Sequence, residues 1–187
     1  MDRLRWWGAS WVPWNSRTMK LILRNVLIYL TAVVVIAVDQ WTKAWVRANL
    51  PVGQAFDLFP GFGDWARLLH IQNTGAAFGM FQTGGTVFTI VAIVVSTAIV
   101  YYSFKITEEA WALRLILGLQ LGGALGNLID RLLFGPVTDF ISLLGIWNAP
   151  IFNVADASIT IGVVLMVVAM LLSPAERDGS HLPDTQP

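Results

Sequence analysis

The stretch Phe152-Asn-Val-Ala-Asp156-Ala-Ser-Ile-Thr-Ile-Gly-Val-Val-Leu-Met-Val-Val-Ala-Met-Leu-Leu172 decides the fold class of this chain. It carries no charged residue after Asp156, and its length matches the roughly 20 residues with which a helix crosses a bilayer. Three further apolar stretches lie at residues 25–46, 85–104 and 111–134. The first of them exceeds the apolar core of a cleaved signal peptide, roughly 7–15 residues, which favours an uncleaved span. The sequence therefore predicts an all-α membrane protein with four transmembrane helices.

The composition also narrows the chemistry that the chain could perform. Hydrophobic residues make up 56% of the 187 residues and charged residues 13%, whereas a soluble domain is about one-quarter charged. Twelve basic and twelve acidic residues cancel, so no overall charge draws the chain to nucleic acid. The absence of cysteine and the presence of only two histidines exclude thiol catalysis and leave little material for a Ser-His-Asp triad or a zinc-binding helix. If the chain is a hydrolase, carboxylates must do the work.

The apolar stretches divide the chain into three segments. Residues 1–18 form a basic, tryptophan-rich extension suited to a membrane surface. Residues 19–173 form the four-helix domain, and residues 174–187 form a polar tail. An additional interfacial anchor and a misassigned start explain the extension equally well, since Met19 is itself a possible start.

Basic residues predict how the chain is oriented in the membrane. Five of them lie within the first 24 residues, and Lys105 and Arg114 flank the second connection. Because Lys and Arg accumulate on the cytoplasmic side, we expect both termini in the cytoplasm and the first and third connections outside it. The first connection contains Trp65–Gln72, a strand pattern with imperfect alternation. We expect a small extracytoplasmic β-sheet and loop region there, with His70 as a strand residue rather than a ligand.

Two aspartates are the candidate catalytic pair: Asp139 lies in the last connection, just before the final apolar stretch, and Asp156 lies at the start of that stretch. The third and fourth helices are expected to be antiparallel, so their outer ends are adjacent and the connection can bring the carboxylates together. Two facing carboxylates share a proton, and one can then activate water while the other protonates or hydrogen-bonds a carbonyl. Asp156 on its own is explained equally well as a helix cap. The pair favours catalysis, because ionisable groups at a membrane edge usually mark a functional interior.

Other polar side chains lie at the same outer level. Asp39 and Lys43 are four residues apart, a spacing that favours a structural ion pair on one helix face. Asn127 and Asp130 share a helix face as well. The neighbouring Arg131 favours a local ion pair with Asp130 that closes the helix end, and a direct catalytic role for Asp130 is the alternative.

Two further patterns concern packing and the long connection. Gly118, Gly122 and Gly126 recur at a spacing of four, which lets helix backbones approach closely in lipid, so we expect a packing face there. Asn73 precedes a turn of small residues that contains Gly75, and its amide can offer hydrogen bonds.

Five sequence blocks occur in order between residues 20 and 172, namely Asp39-Gln-x-x-Lys43, Asn73-x-Gly-Ala-Ala-Phe78, Gly126-Asn-Leu-x-Asp-Arg131, Val137-x-Asp-Phe140 and Phe152-Asn-x-Ala-Asp156. Each block alone is a weak signal, but together they resemble the bacterial lipoprotein signal peptidases, the signal peptidase II family. The resemblance implies an aspartic endopeptidase with four spans in the bacterial inner membrane. It implies removal of signal peptides from prolipoproteins, with cleavage on the amino side of a diacylglyceryl-modified cysteine.

The same resemblance assigns roles to individual residues and partners. It makes Asp139 and Asp156 the catalytic pair. Supporting or substrate-binding roles fall to the other matched positions, which are Asn73, Asn127, Asp130, Arg131, Asn153, Asp39 and Lys43. The implied partners are prolipoproteins with a diacylglyceryl-cysteine and membrane lipid, without nucleic acid, metal or organic cofactor. The oligomeric state stays open, although a monomer would suffice, and the family pattern does not require the extension before Met19.

Two other protein classes also fit a chain with four spans. A proton-coupled transporter needs ionisable groups near the bilayer centre, but the middle parts of the second and fourth stretches carry no charge. A scaffold of four spans would leave the outer polar cluster unexplained. Cleavage of a diacylglyceryl-modified prolipoprotein by the purified chain would separate these classes from a peptidase.

Overall fold

The computed structural model describes residues 16–57, 65–75, 85–106, 110–143 and 150–172, with side chains from residue 25 onward. The N-terminal extension up to residue 15 and the expected polar tail lie outside the described residues. The helices are α1 (Ser16–Asn49), α2 (Gly85–Ser103), α3 (Trp111–Leu133) and α4 (Val154–Leu172). The strands are β1 (Ala55–Phe56), β2 (Ala66–Asn73) and β3 (Val137–Leu143). Because α1 already begins at Ser16, it runs across the boundary expected at residue 18, and the division into segments stays a prediction.

The expected membrane architecture is confirmed. Within the described residues, four helices are long and apolar enough to cross a bilayer, at Asn25–Asn49, Gly85–Ser103, Trp111–Leu133 and Val154–Leu172. Large aliphatic side chains of α2 and α4 point outward, as is typical of helices whose outer faces contact lipid. The chain is therefore an all-α membrane protein in its spans, and the connections between the helices form a small antiparallel sheet.

Helix α3 lies at the centre of the bundle and packs against α1, α2 and α4. The expected glycine face is confirmed, because a Cβ atom on Gly118 would lie 2.8 Å from the Ile28 carbonyl oxygen of α1. A Cβ atom on Gly122 would lie 2.9 Å from the Ala32 carbonyl oxygen. These contacts are shorter than real Cβ atoms make, so only glycine permits this approach of the two backbones.

The three strands form one antiparallel sheet in the order β1-β2-β3. Strand β2 confirms the strand expected in the long connection, and it contains His70 as expected. The sheet is tied to the end of α1 through His70, whose ring Nδ1 lies 2.6 Å from the Leu50 carbonyl oxygen. A second link is the hydrogen bond of 2.8 Å from the Gly53 amide to the His70 carbonyl oxygen.

Strand β3 is an element that the sequence did not reveal. It follows Gly135, whose φ of 85° reverses the chain after α3. Its pairing with β2 sets Asp139 opposite Ile71 and Val137 opposite Asn73. Phe140 is buried against Val46 and Leu50 of the α1 end. The strand is therefore held on one side by the sheet and on the other by a helix, which fixes the position of Asp139.

Candidate active site

The two expected aspartates reach one cavity from different elements. Asp139 projects from β3, and Asp156 lies in the first turn of α4. Both line a cavity of about 850 Å³. Because side chains alternate along a strand, Val137 lines the same cavity, whereas Phe140 points into the core. The structure thus brings together the pair that was expected to meet across the last connection.

Asn153 joins the two carboxylates. Its side-chain Nδ2 donates to Asp139 Oδ1 over 2.7 Å. Its backbone N–H donates to Asp156 Oδ2 over 3.3 Å, while its Oδ1 accepts from the Asp156 backbone N–H over 2.9 Å. This reciprocal pattern is a capping box, so Asn153 caps α4 and Asp156 takes the third helical position. The cap explanation for Asp156 is therefore correct in part, but the same geometry also orients its carboxylate toward the cavity.

The remaining carboxylate oxygens of the pair receive amide hydrogen bonds from two other elements. Asn73, at the end of β2, donates through Nδ2 to Asp139 Oδ2 over 2.8 Å. Asn127 of α3 donates through Nδ2 to Asp156 Oδ1 over 2.7 Å. Each side-chain oxygen of the pair thus has one amide donor, which holds both carboxylates in fixed orientations.

The protonation of Asp139 is strongly perturbed. Burial, followed by the nearby Asp156 carboxylate, raises the pKa of Asp139 to about 7. The hydrogen bonds from Asn73 and Asn153 and the positive charge of Lys43 oppose this shift. A carboxyl group with such a pKa can hold a proton near neutral pH, which is what acid catalysis at that pH requires.

A buried ionic cluster contacts Asn127, one of the amide groups that bind the aspartates. Lys43 is fully buried and contacts Asp39 at 2.8 Å and Asp130 at 3.3 Å. The expected Asp39–Lys43 ion pair is therefore confirmed. Lys43 also donates to Asn127 Oδ1 over 2.9 Å. Because an amide that accepts through its oxygen must present its NH₂ group elsewhere, Lys43 fixes the orientation in which Asn127 donates to Asp156.

Asp39 and Asp130 each connect the cluster to a neighbouring backbone. Asp39 Oδ1 accepts from the Ala155 backbone N–H over 2.9 Å, at the start of α4. Asp130 Oδ2 accepts from the Thr138 backbone N–H over 2.9 Å, one residue before Asp139. The cluster therefore positions both elements that carry the aspartates.

The expected ion pair between Asp130 and Arg131 is wrong. Asp130 instead pairs with Lys43 and, at 3.6 Å, with Arg47 of α1. Successive residues of a helix point about 100° apart, so Arg131 faces away from the cluster that Asp130 enters. Its guanidinium lies over the Phe88 ring at 5.5 Å and donates to the Asn127 carbonyl oxygen over 3.4 Å. Arg131 lines the cavity, and its positive charge faces the space beside the aspartates.

Several residues of this region were not singled out from the sequence. Gln40 donates to Asp39, to Asp130 and to the Gly126 carbonyl oxygen, and Arg47 donates to the Thr138 hydroxyl over 3.0 Å. Gln40 belongs to the first of the five blocks, and this position in the block is the sequence feature that could have identified it. Arg47 and Thr138 carry no signal in the sequence, since their contact depends on the packing of β3 beside α1.

The cavity continues from the aspartates into the bundle. Helices α2 and α4 each pack on α3, and the cavity lies between them. Apart from the groups near the aspartates, its walls are mostly aliphatic and aromatic, including Phe88, Val91, Val95, Ile159 and Val163. Within the described residues no group of three or more His, Asp or Glu side chains could hold a metal ion. The site thus combines two amide-bound carboxylates with a long apolar cleft.

Comparisons with known proteins agree with one another. The family model described as signal peptidase (SPase) II matches residues 31–172. A lipoprotein signal peptidase of Desulfitobacterium hafniense is 41% identical over 147 residues, which are 79% of this chain and 94% of that protein. The lipoprotein signal peptidase of Staphylococcus aureus is 38% identical over 150 residues, covering 79% of this chain and 90% of that protein.

Two solved structures share the fold and about one third of the aligned sequence. A bacterial membrane enzyme determined by the in meso method at 2.3 Å resolution superposes with a TM-score of 0.73 at 34% identity, covering 83% of this chain and 93% of that one. A second, determined by the same method at 1.9 Å, gives a TM-score of 0.70 at 36% identity, covering 78% of this chain and 93% of that one. The match of the family model over most of the chain, together with these identities, shows that the chain belongs to the signal peptidase II family and is a multi-pass membrane peptidase.

Proposed function

We propose that the chain is an aspartic endopeptidase that removes signal peptides from diacylglyceryl-modified prolipoproteins, cleaving on the amino side of the lipidated cysteine. One observation carries the proposal: Asp139 and Asp156 line the same cavity and are joined by Asn153. Family membership supports the substrate class, since the relatives from Desulfitobacterium hafniense and Staphylococcus aureus are lipoprotein signal peptidases. The apolar cleft between α2 and α4 suits a hydrophobic signal segment that lies in the bilayer.

In the proposed reaction, the pair shares one proton and acts on a water molecule between the carboxylates. Asp139 holds the proton, in keeping with its raised pKa, and donates a hydrogen bond to the scissile carbonyl oxygen. Asp156 accepts a proton from the water, whose oxygen attacks the carbonyl carbon. The C–N bond then breaks, the amine of the lipidated cysteine takes up the proton that Asp156 accepted from the water, and the signal segment leaves with a new carboxyl group, so the pair again holds one proton. Asn73, Asn127 and Asn153 keep both carboxylates in place throughout, and all these groups come from one chain, so a monomer would suffice.

Cleavage of a purified substrate tests the proposal directly. A diacylglyceryl-modified prolipoprotein incubated with the purified chain should yield a shorter product whose first residue is the lipidated cysteine, as identified by mass spectrometry. The same prolipoprotein without the diacylglyceryl group is the matched control and should remain largely uncut. No product from the lipidated substrate, with the protein folded, would refute the proposed function.

The pH dependence of cleavage should reflect the shared proton. Because the pKa of Asp139 is raised to about 7, this carboxyl is protonated below that pH and loses its proton above it. We therefore expect the rate to fall as pH rises through about 7, and to fall again in acid when the second carboxylate is protonated. A profile of kcat against pH in detergent measures both limbs. A flat profile with chemistry rate-limiting would contradict the mechanism.

We further propose that both termini are cytoplasmic and that the aspartates lie at the outer face of the inner membrane. Exposed Trp41 and Trp45 near the end of α1, and Trp65 beside the sheet, support a membrane interface at the level of the aspartates, since tryptophan accumulates there. This depth suits a substrate whose lipidated cysteine lies at the outer leaflet. The sheet would then rest on the outer surface of the membrane.

Cysteine labelling in cells tests this orientation. The chain has no cysteine of its own, so each introduced thiol is unique. Gln54→Cys, before β1, should react with a membrane-impermeant maleimide added from outside the inner membrane. Lys105→Cys, after α2, should react only once the membrane is permeabilised. Both positions are exposed, and the reversed labelling pattern would place the aspartates at the cytoplasmic face and contradict the proposal.

A further inference from the structure

A polar side chain with no assigned role lies deep in the cavity that holds the two aspartates. Gln120 is near the middle of α3 and lines this cavity together with Asn127. The two residues are seven positions apart and therefore on the same helix face. With a rise of 1.5 Å per residue, Gln120 lies about 10 Å deeper in the bundle than Asn127 and the carboxylate that it binds. Its position is thus inside the membrane-spanning part of the cleft.

The surroundings of Gln120 do not satisfy its amide. Among the described residues, the Gln120 side chain makes no hydrogen bond, whereas the Thr160 hydroxyl, which also lines the cavity, donates to the Asp156 carbonyl oxygen over 2.8 Å. Most other residues of the cavity wall are apolar, such as Val95 and Val163. An amide without a partner in an apolar environment costs free energy, so a polar residue at this depth normally has a partner.

The backbone of α4 leaves space for this side chain. A Cβ atom on Gly162 would lie 2.8 Å from Gln120 Cγ, so any larger residue at this position would push the glutamine aside. Gln120 thus lies against α4 and lines the cleft.

The conformation that a cleaved signal segment must adopt places a hydrogen-bond acceptor for Gln120 at this depth. A peptide bond between two carboxylates has to be extended, whereas the membrane-embedded part of the segment must be helical to satisfy its backbone. Three extended residues span about 10 Å, which equals the distance in depth between the aspartates and Gln120. The last four carbonyl groups of the signal helix, which have no partner within the helix, then lie at the level of Gln120.

We infer that Gln120 is a substrate-binding residue whose Nε2 donates to a main-chain carbonyl at the end of the signal helix, about four residues before the scissile bond. The inference rests on the proposed function, because it names a contact of the same substrate. The contact recognises backbone rather than a side chain, so it is compatible with signal segments of different sequence. It marks the point at which the helix gives way to the extended residues that enter the site.

The test measures the kinetics of Gln120→Leu on a synthetic lipopeptide that contains a signal segment and a diacylglyceryl-cysteine. Because the hydrogen bond is present in both the bound substrate and the transition state, we expect KM to rise roughly three- to tenfold while kcat stays within about twofold. Thr97→Val is the matched control, since it removes a polar group from the exposed face of α2, where the hydroxyl donates to the Ile93 carbonyl oxygen of its own helix over 2.8 Å. It should leave both constants unchanged.

A second measurement identifies the acceptor. In a series of lipopeptides, one peptide bond is replaced by an ester at the third, fourth or fifth residue before the scissile bond, which weakens the carbonyl as an acceptor. One of these esters should raise KM for the wild-type chain and add nothing to the effect of Gln120→Leu, as expected for two changes that remove the same contact. Esters that act equally on both proteins would overturn the inference.

The outcomes separate the inference from the proposed function. A wild-type chain that cleaves, with Gln120→Leu at the wild-type KM, would overturn the inference alone. Lower thermal stability of Gln120→Leu without a change in KM would do the same, because it would indicate a purely structural role. Failure of the wild-type chain to cleave any lipidated substrate would overturn the proposed function and this inference with it.

Discussion

Asp139→Asn and Asp156→Asn are each expected to reduce cleavage of a diacylglyceryl-modified prolipoprotein by roughly a thousandfold or more, as is usual when one member of a catalytic unit is removed. An asparagine has nearly the volume of aspartate but cannot exchange the shared proton. At position 139 the donors Asn73 and Asn153 remain in place, and one of them can still bond to the single side-chain oxygen of the introduced asparagine. Single-turnover cleavage, followed by mass spectrometry, measures the loss.

The same variants should remain folded, which separates a chemical defect from a structural one. The pKa of Asp139 rises from its ordinary value of 3.8 to about 7, so between these values the folded protein holds a proton that the unfolded chain releases. The contribution of this group to stability is therefore largest in acid and declines as pH rises toward about 7. Asp139→Asn removes this dependence and should not lower the melting temperature at pH 8.

Asp57→Asn, at an exposed position, is the control that should keep full activity. Turnover within tenfold of wild type for either active-site variant would contradict the catalytic assignment.

The sequence predicted the membrane helices well because their signal is local. A run of apolar residues of sufficient length specifies a span almost regardless of what packs against it. The glycine spacing in α3 was equally informative, since Gly118 and Gly122 report a close approach that only small residues allow. The strand around His70 was also recognisable, because even its imperfect alternation of apolar and polar residues is a local feature.

Strand β3 could not be predicted in the same way. Four consecutive residues, Val137 to Phe140, are buried, so the alternation that identifies a half-exposed strand is missing. Its sheet partner β2 precedes it by two helices in the chain. The strand is thus defined by tertiary contacts, namely its pairing with β2 and the packing of Phe140 on α1.

The partners of Asp130 were mispredicted for a related reason. Arg131 is adjacent in sequence, but the helix directs it elsewhere, and the actual partners Lys43 and Arg47 come from α1. The packing of α1 on α3 therefore determines which charges meet. The family resemblance predicted supporting roles for Asp39, Lys43 and Asp130, but only the three-dimensional arrangement shows that they form one cluster.

Asp130→Ala should cause a large loss of stability. Asp130 is completely buried and faces two positive side chains, Lys43 at 3.3 Å and Arg47 at 3.6 Å. Removing it leaves an excess positive charge in the interior and also deprives the Thr138 backbone N–H of its acceptor. Breaking a buried ion pair in this manner costs about 3–5 kcal/mol. For a protein of this size we expect a fall in melting temperature on the order of 10 °C.

Two control variants separate the loss of the buried charge from the loss of a hydrogen-bond acceptor and from the loss of an exposed carboxylate. Asp130→Asn keeps an oxygen for the Thr138 N–H but removes the charge, so it should fall between Asp130→Ala and the wild type. Asp57→Ala removes an exposed carboxylate and should change stability by less than about 0.5 kcal/mol. Thermal unfolding in detergent ranks the four proteins. Because the Thr138 N–H holds β3 beside Asp139, Asp130→Ala should also lose activity at temperatures where it is still folded. A melting temperature within about 2 °C of wild type, less than the shift expected for 1 kcal/mol, would show that Asp130 is not needed to balance the charges of α1.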